Sequence, residues 1–161
     1  TGADLVNDIW GLKYDSDLAG VIARKNVPCC LMHNRKEPDY TDFIADFLKD
    51  MQETIDIAKK AGIADENIIL DPGVGFGKTY ENNLEIINKL ECMHALGYPI
   101  LLGTSRKSVI GLTLDLPADQ RMEGTVATTV IGVMKGVAFV RVHDVKENYR
   151  ALKMTEAILG R

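Results

Sequence analysis

Apolar residues follow two alternating patterns along the chain: short unbroken runs, and longer stretches at helical spacing. Ala3 to Ile9, Val27 to His33, Asn67 to Asp71, Pro99 to Thr104 and Val137 to Val142 are nearly continuous apolar runs, the pattern of parallel strands covered on both faces. Helical stretches lie between them. In Asp42 to Ala61, Phe43, Ile44, Phe47, Leu48, Met51, Ile55 and Ala58 recur at helical steps, and Gly62 supplies a stop. A second stripe of Leu84, Ile87, Leu90 and Met93 runs through Glu81 to Leu96 and ends at Gly97. Asp15 to Arg24, Ala118 to Lys135 and Val145 to Leu159 complete the set.

Strand followed by helix, repeated, predicts an α/β protein with a parallel sheet. Two architectures fit, an open doubly wound sheet and part of an eight-fold βα barrel. A barrel of ~250 residues spends ~31 on each unit, so the 161 residues of this chain correspond to about five units. The chain opens on TGADLVNDIW, without an initiator Met and with an apolar run from the third position. A single domain over residues 1–161 is expected; a barrel of the TIM type, incomplete at about five of eight βα units, fits the count and the start, and the open sheet stays as the other reading at this point. The incomplete barrel's strand edges at Ala3 to Ile9 and Val137 to Val142 would be open.

Composition narrows the partners. With 46% hydrophobic and 26% charged residues and a net charge of −4, the chain has ordinary globular composition and no electrostatic footprint for nucleic acid or an anionic membrane. No purely apolar run exceeds five residues, so a soluble, cytoplasmic protein with a small-molecule partner is expected. Cys29, Cys30 and Cys92 fit neither a metal motif nor a disulfide framework and read as buried thiols.

The run DPGVGFGKTY, residues 71–80, resembles a phosphate-binding loop at first sight. Such a loop needs glycine five positions before the glycine that precedes the lysine. Pro72 stands there, removing an amide that a phosphate nest would use. The glycines read as a βα loop, and Lys78 and Thr79 as the start of the next helix. Asp71 is the informative member, because a carboxylate at a strand's C-terminal end points into the mouth of a barrel or sheet.

Polar groups recur at the other strand ends: Asn7 and Asp8, Met32 and His33, Ser105 to Lys107, and Arg141, His143 and Asp144. Asn and Asp suit a flat heterocycle that presents an amide and an amino group. Lys107 can donate to its carbonyl. Arg141 and His143 alternate along one strand and suit an anion.

LDPGVGFGK, GTSRKSVIG and VRVHDVKE, with VNDIWG and CLMH upstream, resemble the dihydropteroate synthases of folate biosynthesis over essentially the whole chain, in the last five βα units of that family's barrel. The resemblance implies condensation of 6-hydroxymethyl-7,8-dihydropterin diphosphate with 4-aminobenzoate, giving 7,8-dihydropteroate and diphosphate with the help of Mg2+. It implies that Asn7, Ile9, Met32, Asp71, Lys107 and Arg141 bind the pterin, and that Phe76 and Ser105 bind the aminobenzoate. Arg141 and His143 would hold the diphosphate. Lys107, Arg141 and His143 would be the catalytic groups, stabilising charge without any nucleophile.

The resemblance places no metal ligand on this chain; the main protein ligand of Mg2+ is expected in the family's first three units, together with two mobile loops and another pterin-binding Asp. A homodimer through the last helices is implied, and little or no synthase activity for the 161 residues alone. A pterin-binding methyltransferase barrel and a non-catalytic pterin-binding half-barrel are the alternatives. Five side chains read as structural: Asp144 as a cap of the last helix, His33 as a second-layer donor, His94 on a helix, and Trp10 and Tyr98 as packing residues.

Overall fold

The computed structural model describes residues 2–161. Five parallel strands alternate with helices, as the pattern predicts: β1 (Val6–Asp8), α1 (Leu18–Lys25), β2 (Cys29–Met32), α2 (Phe43–Lys60), β3 (Ile68–Asp71), α3 (Tyr80–Asn88), β4 (Leu101–Leu102), α4 (Ser108–Leu114), α5 (Met122–Met134), β5 (Phe139–Val140) and α6 (Val145–Leu159). β1, β2 and β3 form one sheet and β4 and β5 another. A parallel bridge between Leu70 and Ile100 joins them. Each strand thus neighbours the next in sequence. A doubly wound sheet reverses its strand order; here the order runs in sequence without a reversal.

The core lies between the strands and the helices. Cys29 and Leu31 of β2 and Ile68 and Leu70 of β3 pack with Phe47, Met51, Ile55 and Ala58 of α2. Those α2 residues are spaced at three and four, so one face is buried. Asp42 starts that helix by accepting from the Ala45 amide at 3.1 Å. Cys29 and Cys30 are buried, and burial pushes their thiols up to about 11 and about 12, so neither is a nucleophile at neutral pH. Cys92 is only half-buried.

Several expectations on element bounds are corrected. The strands are shorter than the apolar runs, because the chain leaves the ladder early to build loops. The stretch from Glu81 to Leu96 is two elements: α3 ends at Lys89 (φ −110°, ψ 25°), and Leu90–Leu96 continues as a tighter 3-10 turn. Leu90, Met93 and Leu96 are three apart, so a three-residue turn keeps them on one side, and Leu90 and Met93 are buried. Ala118 to Lys135 likewise divides into a 3-10 turn at Ala118–Gln120 and α5. α4 has no counterpart among the expected helices; its sequence SVIGLTL is rich in β-branched residues and holds a glycine, both weak helix signals. An added Cβ at Gly111 would displace the Arg121 guanidinium, which donates to the Leu116 and Arg106 carbonyls.

The smaller structural readings are mixed. Trp10 stacks on Tyr14 at 5.9 Å, Tyr98 donates to Asp65 at 2.7 Å, and His94 sits on the Lys135 carbonyl at 2.8 Å, none of them at a strand end. Asp144 makes no side-chain cap of α6; its carboxylate is taken by Arg106, and its backbone carbonyl receives the Asn148 amide at 3.2 Å. No described helix is long and apolar enough to cross a membrane.

Candidate active site

Parallel strands deliver their C-terminal residues to one end of the sheet, and the polar groups converge there. Asp71, last residue of β3, is fully buried. Its Oδ1 accepts the Gly73 amide at 2.8 Å and its Oδ2 the Arg141 Nη2 at 3.2 Å. Burial raises its pKa, opposed by the Gly73 N–H and by the charges of Arg141, Lys107 and Lys78. Burial prevails, although the Arg141 pair alone would pull the other way; the guanidinium is 45% exposed, and water screens it.

Arg141 also donates from Nη1 to Asn7 Oδ1 at 2.8 Å. One guanidinium therefore ties the end of β1 to the end of β3 across 134 and 70 positions of sequence. Its own backbone is held to β4 through the Leu102 carbonyl at 2.9 Å. Gly103 leaves room for it, since a Cβ there would stand 2.8 Å from Nη2. The neighbouring Asp8 serves its own loop, accepting the amides of Trp10 at 3.2 Å and Leu12 at 2.6 Å.

Lys107 reaches over from the loop after β4. Its ammonium donates to the Val74 carbonyl and lies 4.6 Å from the Phe76 ring centre. Burial pushes it down to about 8, with Asp71 opposing and Arg141 adding to the shift. Ser105 is buried and faces His143: Oγ and Nδ1 are 2.8 Å apart, and Oγ also accepts the His143 amide at 3.1 Å. Gly103, Ser105, Lys107, Arg141, Val142 and His143 line one cavity of about 170 Å³.

Of the sequence-derived residues, Asn7, Asp71, Arg141, Lys107, Ser105 and His143 come together, with Phe76 beneath Lys107. Arg141 and His143 do so from the loop beyond β5, not from within a strand as their alternation suggests. Met32 is buried beside Asp71 in the ladder and is not among the residues lining that cavity. Ile9 is 42% exposed on the turn after β1.

Sequence reasoning missed the support behind this site. Lys78 does not serve as the first residue of α3: Thr79 is the cap, exchanging bonds of 3.2 Å with Asn82 in both directions. The Lys78 ammonium turns inward to His33, and His33 bonds Asp50 at 3.0 Å. Arg106, between Ser105 and Lys107, adopts φ +58°. Its amide donates to Thr125 Oγ1 at 3.1 Å, its carbonyl accepts from Arg121 at 2.9 Å, and its guanidinium pairs with Asp144 at 2.8 Å. Left-handed backbone in a non-glycine residue has to be held by its surroundings, and no local pattern announces it.

A larger cavity of about 900 Å³, with Leu84, Ile87, Ile131 and Met134 in its wall, opens between α3 and α5. None of the strand-end groups lines it, so volume alone does not mark the chemical site.

Comparisons with known proteins identify the family. A family model described as "Pterin binding enzyme" matches residues 1–143. The dihydropteroate synthase of Clostridium beijerinckii is 65% identical over 161 residues, covering 99% of this chain and 60% of that protein. That of Bacillus subtilis is 54% identical, over 99% of this chain and 56% of the relative. The chain thus spans under two thirds of the length of these relatives. A dihydropteroate synthase structure from Clostridium difficile, determined in the presence of pteroic acid, superposes with a TM-score of 0.96 at 47% identity, over 99% of this chain and 61% of that one. A Yersinia pestis structure with a pterin–sulfa conjugate gives 0.94 at 39% identity, over 99% and 62%. This chain belongs to the pterin-binding enzyme family.

Proposed function

We propose that this chain supplies the pterin- and diphosphate-binding side of a dihydropteroate synthase, which joins 6-hydroxymethyl-7,8-dihydropterin diphosphate to 4-aminobenzoate. The observation that carries the reading is the Arg141 guanidinium bonded to both Asn7 and Asp71, beside a cavity shared with Lys107, Ser105 and His143. The Clostridium difficile relative, whose structure was determined in the presence of pteroic acid, supports it. In the same proposal the five sequential strands belong to a TIM-type barrel of eight units, completed by residues outside the 161. The protein is cytoplasmic and dimerises through α5 and α6, where Met134, Tyr149, Met154 and Ile158 are exposed.

Asp71 accepts two parallel N–H bonds from the pyrimidine edge of the pterin, and Asn7 completes that edge. Arg141 exchanges its bond to Asp71 for the ring face and the anion. The bond from the pterin methylene carbon to the diphosphate oxygen then breaks, and the electron pair leaves with diphosphate. Arg141, Lys107 and His143 stabilise that charge. The aniline nitrogen of 4-aminobenzoate, seated by Phe76 and Ser105, forms the new C–N bond and releases a proton. No side chain forms a covalent intermediate. Mg2+ enters the proposal only as a companion of the diphosphate: among the described residues no three His, Cys, Asp or Glu side chains gather as a ligand set, so they do not fit a resident metal and no step is derived through it.

The test is calorimetry and product formation. The chain should bind the pterin diphosphate, and Asp71→Asn, which keeps the shape but turns an acceptor into a donor, should weaken binding on the order of 100-fold. Dihydropteroate should form with the polypeptide extended to family length and not, or barely, with the 161 residues alone. Equal binding by Asp71→Asn would sink the pterin assignment. Pterin binding without any condensation at full length would point to a plain binding module.

A further inference from the structure

The lysine of the GKT run is absorbed by none of the roles above, yet it is the most completely bonded cation among the described residues. Its Nζ lies 2.8 Å from His33 Nδ1, 3.0 Å from the Gly73 carbonyl and 3.0 Å from the Phe76 carbonyl. Burial pushes this group down to about 7, with Asp71 opposing the shift; in its charged form it has three protons, and each then has one acceptor. Two of the acceptors belong to the loop that Lys78 itself ends, and the third lies on the residue after β2. The loop is thereby closed around the ammonium and fastened to a neighbouring strand.

The tautomer of His33 follows from its other side. Nε2 faces Asp50 Oδ2 at 3.0 Å. Burial pushes the imidazole down to about 4, so it is neutral at pH 7. A neutral imidazole beside a carboxylate carries its proton on Nε2 and leaves the Nδ1 lone pair for Lys78. Asp50 is held in turn by Arg35, from Nε at 2.5 Å and Nη2 at 3.1 Å. Arg35 lies 4.3 Å from the centre of the Tyr40 ring, and the Tyr40 hydroxyl donates to the Gly77 carbonyl at 2.6 Å. The chain of contacts from Phe76 through Lys78, His33, Asp50, Arg35 and Tyr40 thus returns to Gly77, one residue from where it began.

We propose that Lys78 is the positioning residue for Phe76: its three hydrogen bonds fix the loop from Gly73 to Gly77, so that the Phe76 ring and the Val74 carbonyl present the second-substrate side of the site to Lys107. It touches no substrate and takes no part in bond making. The inference rests on the synthase reading for what Phe76 meets, and on the loop geometry alone for what Lys78 holds.

The test uses the synthase at family length with Lys78→Met, which keeps bulk and removes all three donors. KM for 4-aminobenzoate should rise at least about tenfold while KM for the pterin diphosphate stays within about twofold. Amide exchange across Gly73 to Gly77 should quicken by a similar factor. Lys78→Gln, with two donors, should fall between. If Lys78→Met does not fold, His33→Leu removes one acceptor and should give the same selective pattern at smaller size. An unchanged aminobenzoate KM, an equal rise of both KM values, or unchanged loop exchange in the folded variant overturns the proposal. An inactive parent enzyme would sink the synthase reading instead, and the exchange measurement would still decide the role of Lys78.

Discussion

An added Cβ at Gly73, in the loop after β3, would strike the His33 carbonyl oxygen, and one at Gly77 would strike the backbone of Arg35; at Gly103, after β4, it would meet only the end of the Arg141 side chain. The two loops are held differently. The first is packed backbone against backbone and fastened by buried polar groups: Asp71, His33 and the Lys78 ammonium. The second also has buried Ser105 and Thr125 behind it, but much of its hold comes from side chains with exposed ends, the Arg106 to Asp144 pair at 37% and 21% exposure and the Arg141 guanidinium at 45%. Under the proposed function, the rigid wall would read the flat ring and the adjustable wall would meet the charged group. Leaving-group chemistry calls for such a division, because the anion moves while the ring does not.

The largest effect should come from breaking the rigid wall. Gly73 has φ +66°, and its would-be Cβ is opposed by a carbonyl that cannot rotate away. Gly73→Ala combines backbone strain with a backbone collision and should cost about 4 kcal/mol or more in stability. Urea unfolding measures it, and a loss below about 1 kcal/mol would show that the loop can shift after all.

A pH titration sharpens the same side. Folded His33 titrates at about 4 against 6.5 for an ordinary imidazole, because burial disfavours its charged form more than the Asp50 hydrogen bond favours it. Between those values the unfolded chain binds a proton that the folded chain refuses. Stability should therefore fall as pH drops from about 6.5 to about 4, by on the order of 3 kcal/mol. Asp50 titrates lower still: burial would raise its pKa, but hydrogen bonds from His33 and Arg35 more than offset this, so its own contribution is full above the ordinary carboxylate range and fades only below the His33 window. His33→Leu should flatten the limb between pH 6.5 and 4; a limb that persists unchanged in that variant would assign it to another group.

How much of this is legible in the sequence follows from the same contrast. Continuous apolar runs mark parallel strands, so all five strands are readable, and so are the polar residues that end them; burial on both faces holds for β2 and β3, whereas β1 and β5 hold no buried residue. Phe47, Met51 and Ile55 announce α2 because an amphipathic helix carries its own period. Lys78 misleads because GKT before a helical stripe has the local look of a helix start, while its partner His33, 45 positions earlier, is set by tertiary folding. Asp144 misleads for the same reason: an acidic residue before a helix looks like a cap, and Arg106, 38 positions earlier, takes it instead. α4 escapes because its seven residues are too few to show a period.

The smallest effect is expected on the adjustable wall, where Gly103→Ala separates binding from folding. A methyl group at that position stands 2.8 Å from Arg141 Nη2 and 3.4 Å from its Cζ and Nε. These atoms end a flexible side chain, so the guanidinium can swing outward at little cost to the fold, and urea unfolding should change by less than about 1 kcal/mol. The displaced guanidinium stands away from the place where, in the proposed function, it meets the anion. Binding of the pterin diphosphate should weaken by roughly tenfold, about one charged hydrogen bond, while the pterin without its diphosphate should lose less, since Asp71 and Asn7 keep their places. If both ligands weaken equally, Arg141 serves the ring rather than the anion, and the division between a rigid and an adjustable wall fails at the residue that joins them.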